Sequence, residues 1–403
     1  MTLGPHAPLD TRSARALRAR LDRFARYDPR SREDLVHLEE IILGAALCAD
    51  EQLEFDARTQ WIATSYMHAR ASDVHRENLR WCLRHVEEHH DGVDGRALVR
   101  ILHAIKRMID SSTGDPDTPR SEIQELIGTY RELRIRAGLG GHSEQELRME
   151  VALDLGDVPE ALYRQGLAED EVPDALSACT GCAAADAIRM EEAMGRFAHA
   201  AAIAAGALGV QWSGCRSQPH DLQALSLMSL SLTGRHDLAL ECAEAAWTAL
   251  CDSAFAHGLA GRLLLWCAWS GQTRRAVDLL EEYLPILEDN PRPVGERMRF
   301  LTGAAVVARR AAEDLGPDAA IGGARAGFLA RRWSDEARGL AARFDERNGS
   351  EAEGRRTDAA LTVPAWDGST IEALPAPTLG RAARGRPTPR RPRLFGRRHR
   401  PQD

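Results

Sequence analysis

Leu155-Gly156-Asp157-Val158-Pro159-Glu160-Ala161 returns in outline three more times: Met194-Gly195-Arg196 with Ala200, Thr233-Gly234-Arg235 with Ala239, and Ser270-Gly271-Gln272 with Ala276. The glycines fall 39, 39 and 37 residues apart, and each precedes an alanine by five positions. Each copy reads as a helix, a tight turn that uses glycine's access to positive φ, and a second helix whose small residue sits where the two cross. Units of this length do not bury an apolar face alone; stacked neighbours share one continuous core. The expectation is an all-α chain built as a right-handed solenoid of helical hairpins.

Composition agrees. Aromatic residues make up 5% of the 403-residue chain, and alternating Val, Ile and Thr runs are missing, so a β-sheet has little to build on. No stretch approaches the ~18 apolar residues of a membrane span, and residues 1–10 lack the charged-then-apolar form of a signal peptide. A cytoplasmic location is expected, in which the eight cysteines stay reduced as core fillers or metal ligands. Lys106 is the sole lysine, and the abundant arginine fits a compositional bias more simply than nucleic-acid binding. Net charge is −8, but residues 374–403 carry nine arginines against one acid, so the body is about −16 and the tail has the opposite sign.

Along the chain, residues 1–9 read as a loose leader, residues 10–142 as degenerate N-terminal helical repeats and residues 143–290 as the regular hairpins. Residues 291–349 read as helices capping the stack. From Gly349 onward apolar content falls and proline recurs, so residues 350–403 are expected to be a disordered Pro/Arg-rich basic tail.

The pattern resembles the tetratricopeptide repeat, whose second half reads Gly-Asp-x-x-x-Ala with a further small residue seven positions on. Ala161 is followed by Ala168, Ala200 by Ala207 and Ala239 by Ala246, whereas Ala276 is followed by Tyr283, and the Trp and Leu-Gly of the repeat's first half are missing. More narrowly, Cys179-Thr180-Gly181-Cys182, Cys215 with Pro219-His220, Met298-Arg299-Phe300 and the run from Leu340 to Gly349 resemble a bacterial family of tetratricopeptide-repeat proteins from high-GC genomes. That resemblance implies the superhelical fold over roughly residues 50–350 and assigns no activity.

The sharpest chemical constellation is Cys179-x-x-Cys182 with Cys215-x-x-x-x-His220. Both pairs precede the first helix of adjacent hairpins, which places them at one end of the stack about one helix spacing, ~10 Å, apart. Three thiolates and an imidazole form a structural zinc set that would lock two repeats; the competing reading is of buried cysteine fillers beside a helix-start histidine. His85-Val86-Glu87-Glu88-His89 matches the H-x-x-E-H string of one class of zinc peptidases, with Glu88 as base and an unseen third ligand, but it ends a helix and reads more simply as a solvated terminus. No P-loop, dinucleotide turn or nucleophile elbow occurs, so a non-enzymatic reading is preferred.

In a tetratricopeptide register the first helix of each hairpin lines a concave groove, which directs Glu146, Glu150, Cys182, Arg189, Glu192, Asp221, Met228, Gly258 and Leu265 toward it. Such a groove suits an extended or helical peptide, although Arg189 and Glu192 also fit an ordinary solvated face. The basic tail offers contact with phosphate backbones, or simply with the acidic body. The sequence therefore points to a protein-interaction module or scaffold, with a nucleic-acid-associated role through the tail as the alternative.

Overall fold

The computed structural model describes residues 13–26, 32–65, 73–89, 93, 95–210, 215, 217–252, 257–289, 294–364 and 366. The leader at residues 1–9 and the arginine-rich segment lie outside them. The N-terminal helices are α1 (Ala14–Arg26), α2 (Arg32–Leu47), α3 (Glu51–Ser65), α4 (Asp73–Glu88), α5 (Gly95–Thr113) and α6 (Arg120–Arg136). The hairpins follow as α7 (His142–Asp154) with α8 (Val158–Glu169), α9 (Thr180–Ala193) with α10 (Phe197–Leu208), α11 (His220–Leu232) with α12 (His236–Asp252), and α13 (His257–Trp269) with α14 (Thr273–Asp289). Then come α15 (Val294–Asp314), a two-stranded hairpin of β1 (Ala320–Ile321) and β2 (Ala324–Arg325), α16 (Ala326–Asn348) and α17 (Ala352–Thr362).

All four repeated glycines have positive φ, between 72° and 81°. In each turn the glycine N–H bonds the carbonyl three residues back and the next N–H bonds the one five back, as in Gly234 to Ser231 at 3.0 Å and Arg235 to Leu230 at 2.9 Å. This paired bonding satisfies carbonyls that a helix end would otherwise leave orphaned, and it reverses the chain within three residues. In the first copy Asp157 also caps α8 by accepting from Glu160 N, an exchange lost in the second copy, where Arg196 caps α10 without a side-chain bond. Ala161, Ala200, Ala239 and Ala276 are all fully buried, which lets the paired helices approach closely. Large side chains fill the space beyond them: Trp247 and Trp266 are fully buried, and the Trp266 indole donates to Ser231 Oγ at 2.8 Å.

First helices of successive hairpins also touch one another, α5 with α7, α7 with α9, α9 with α11, α11 with α13 and α13 with α15. The last of these contacts is a glycine-on-glycine crossing. A Cβ on Gly303 would lie 2.0 Å from Gly261 O, and one on Gly261 would lie 2.4 Å from Arg299 O.

The C-terminal helices return to the middle of the chain. Gly295 N donates to Gly114 O at 2.9 Å, and the Arg347 guanidinium donates to Ser112 O, Thr113 O and Asp115 O at 3.0–3.1 Å. These are carbonyls at the end of α5, so one side chain from α16 serves as the C-terminal cap of a helix more than 200 positions earlier. The Gly156 turn is covered as well: a Cβ there would meet the Ala352 Cβ at 2.3 Å.

The expectation of disorder from residue 350 is corrected for its first part. Gly349, at φ 66°, ends α16, and α17 then packs on α15 and α16. Asp345 accepts from Glu353 N and Gly354 N, and beyond the helix Trp366 N donates to Trp269 O at 2.8 Å. Low apolar content misled the reading because the start of α17 is held by the Asp345 carboxylate and the apolar contact of the segment rests on a few residues, among them Leu361 and Trp366.

Two large apolar cores result, one formed by α1–α7 and one by α9–α17 with Ile321. A smaller cluster of Met149, Ala152, Leu153, Ala161 and Met190, from α7, α8 and α9, stands apart from both.

Candidate functional site

A charged seam is built from first helices. On α7, Glu146, Glu150 and Asp154 are spaced four apart and therefore share one face. Asp186 and Arg189 come from α9, Asp221 from α11, Lys106 and Asp110 from α5, and Glu296 and Arg299 from α15. Arg189 is the hub, donating to Asp154 at 2.5 Å and to Asp186 at 3.1 Å. Burial works against the Asp154 carboxylate, but Arg189 and Arg299 outweigh it and hold its pKa below the usual value.

At the other carboxylates burial prevails over the nearby cations. Burial, then Asp186, pushes the Glu150 carboxyl up to about 8, and burial, then Glu296, pushes Asp221 up to about 7. Asp186 is raised too, again chiefly by burial. Among the described residues no group hydrogen-bonds the Glu150 carboxylate, and the nearby Lys106 spends its ammonium on Leu176 O at 3.0 Å. The seam therefore has more carboxylate than cation, and its least satisfied oxygen atoms are those of Glu150.

Of the residues the sequence directed toward the groove, Glu150, Arg189 and Asp221 do meet in this network. Glu192 is spoken for, accepting from Ser229 Oγ and Arg262. Glu146 faces its neighbours, not a free groove: it accepts from Ala178 N at 2.8 Å and lies 3.5 Å from His142 Nδ1. Met228 and Leu265 are half-buried against the apolar core, and Gly258 N is taken by Glu296 at 2.6 Å. Sequence reasoning missed Asp154 and Asp186, although each sits one helical turn from a residue it did select. Glu296 and Arg299 were missed because α15 reads as a terminal cap, whereas it lies against α13.

The cysteines form a second site. Cys179 precedes α9, Cys182 lies in its first turn and Cys215 precedes α11; their sulfur atoms lie within 4.8 Å of one another. Cys182 Sγ is 3.7 Å from both Cys215 Sγ and Gln218 Nε2. His220 is not in this group: it begins α11 after the cis Gln218–Pro219 bond, and it is Gln218 that reaches Cys182. The expected four-ligand set is thus three thiols as the structure stands. Burial opposes ionisation of Cys179, but hydrogen bonds from Cys182 and Cys215 prevail and lower its pKa; burial and the neighbouring Cys215 raise that of Cys182. The first thiolate accordingly forms at the exposed sulfur. Cys242 and Cys267 are buried in the core with raised pKa values, as fillers are.

No protein-family model matches the chain, and no curated protein matches it in sequence. No described helix is long and apolar enough to cross a membrane.

Proposed function

We propose that the chain is a non-enzymatic interaction scaffold whose charged seam receives a cationic side chain of a partner protein or peptide. The hairpins are read as degenerate tetratricopeptide-like repeats in a right-handed superhelix, supported by the four glycine turns and their buried alanines. The observation that carries the functional reading is Glu150, a carboxylate without a hydrogen-bond donor among the described residues and held beside Asp186, whose charge Asp221 also feels, so that positive charge added near Asp186 would ease all three raised pKa values. Arginine suits such a site because its guanidinium donates to two carboxylates together.

Fluorescence anisotropy with labelled peptides of matched length, one arginine-rich and one glutamate-rich, tests the reading. The basic peptide binds the full chain, and Glu150→Gln with Asp221→Asn weakens it by about tenfold or more, as loss of charge-assisted bonds requires. Equal binding of both peptides, or binding unaffected by the double variant, overturns it.

The three thiols are proposed to hold a structural zinc ion that joins the α9 and α11 hairpins. Their sulfur donors suit zinc, and three protein ligands leave a fourth tetrahedral position for water. Zinc content of protein purified without added metal, compared with Cys182→Ser, tests this separately from peptide binding.

A further inference from the structure

A second metal-ligating cluster lies far along the chain from the cysteines, where α3 begins and α4 ends. Asp50 caps α3 by accepting from Leu53 N at 2.9 Å, which puts Glu51 in the first helical position. On α4, His85 and His89 are one turn apart on the same face. The His85 ring, 6% exposed, is stacked against Phe55, Trp81 and His89, with centroids 4.8, 5.3 and 4.3 Å away. These neighbours fix the plane of the ring. Among the described residues none hydrogen-bonds either of its nitrogens, which leaves both free to take a ligand.

His89 is oriented from behind. Its Nδ1 lies 3.1 Å from His85 O and donates to that carbonyl, which places a proton on Nδ1, so that in the neutral ring the lone pair is on Nε2. That Nε2 faces Glu51 Oε2 at 3.2 Å. In the neutral tautomer two acceptors thus confront each other, and a cation between them satisfies both. A second-atom bond from imidazole to a backbone carbonyl is the arrangement that metal-bound histidines use.

We propose that Glu51, His85 and His89 form a binding site for a divalent zinc-like ion, tying the start of α3 to the end of α4. Their donor atoms all lie within 4.8 Å of one another, and small side-chain rotations bring them to the ~2.0–2.2 Å that zinc requires of nitrogen and oxygen ligands. The third ligand is Glu51 from another helix. Glu88, the base of the peptidase-like string, is exposed and outside the group, so no general base faces the ion. This is a site for holding helices or for accepting one outside ligand at the open position.

The test uses the full chain, stripped with chelator, carrying Cys179→Ser, Cys182→Ser and Cys215→Ser so that thiols take no metal. Calorimetric titration with zinc alone shows one ion per chain, and binding is lost in His89→Ala and in Glu51→Gln, both surface changes that leave the helical circular dichroism intact. Cobalt added to the chain with its cysteines intact supplies a second readout. Thiolate ligands give intense near-ultraviolet charge transfer, whereas nitrogen and oxygen ligands give only weak visible bands; His89→Ala removes the weak bands alone. Zinc binding that persists in His89→Ala, or a triple-serine chain that takes no zinc together with cobalt bands indifferent to His89, overturns the proposal. None of these outcomes depends on peptide binding in the seam.

Discussion

Glu150→Gln tests the charged seam most directly, because the folded protein is expected to become more stable without the native residue. The folded chain keeps the Glu150 proton until about pH 8, whereas the unfolded chain releases it near the ordinary 4.5. Stability is therefore highest below that lower value and falls as pH rises through the window, since the native state binds more protons than the unfolded one. At ~1.4 kcal/mol per unit, the penalty is about 2 kcal/mol near pH 6 and about 4 kcal/mol near pH 8. A glutamine keeps the shape and does not ionise. Urea denaturation followed by tryptophan fluorescence should show the variant gaining about 2 kcal/mol on the native protein between those two pH values. A variant no more stable near pH 8, or a gap that fails to widen with pH, would refute the claim that loss of water at Glu150 outweighs its nearby cations. The same group predicts proton release on binding: near pH 7 about 0.9 proton sits on Glu150, and a cationic ligand displaces it, so the binding enthalpy varies with the ionisation enthalpy of the buffer.

Gly234→Ala meets nothing within 4 Å and pays only for positive φ, about 1 kcal/mol; Gly156→Ala also strikes Ala352 and loses more. Combining Gly156→Ala with Ala352→Gly recovers the excess but not the φ cost, as a double-mutant cycle in thermal melts will show. Gly303→Ala places a methyl group 2.0 Å from a backbone oxygen, so α13 and α15 must separate; soluble yield falls sharply or the melting temperature drops by more than for either turn variant. Burial, then Arg107 and Arg76, lowers the pKa of His75 from 6.5 to about 4, so the neutral ring contributes stability that is lost as pH falls through that interval. His75→Gln should remove about 3 kcal/mol of this acid sensitivity in denaturation curves recorded near pH 7 and pH 4.

The repeat was legible in the sequence because its physics is local. Positive φ at Gly156, Gly195, Gly234 and Gly271 follows from what glycine alone tolerates at a helix end, and the alanine five positions later follows from the geometry of one hairpin. The convergence of Cys179, Cys182 and Cys215 was legible for the same reason, since equivalent positions of adjacent hairpins must lie near each other. His220 stands outside that group, and it is Gln218, two residues earlier, that reaches Cys182, a choice the residue spacing does not report.

What only the tertiary structure decided depends on where distant segments meet. Arg347 caps α5, Ala352 covers the Gly156 turn, and α15 brings Glu296 and Arg299 to the seam, all across separations no period encodes. Glu51 joins His85 and His89 only because α3 and α4 pack side by side. For Glu150 and Asp221, which the sequence directed toward a groove, the raised pKa values could not be read from residue type. Those values come from the loss of water and the count of charges nearby, and both are set when the whole chain closes around them.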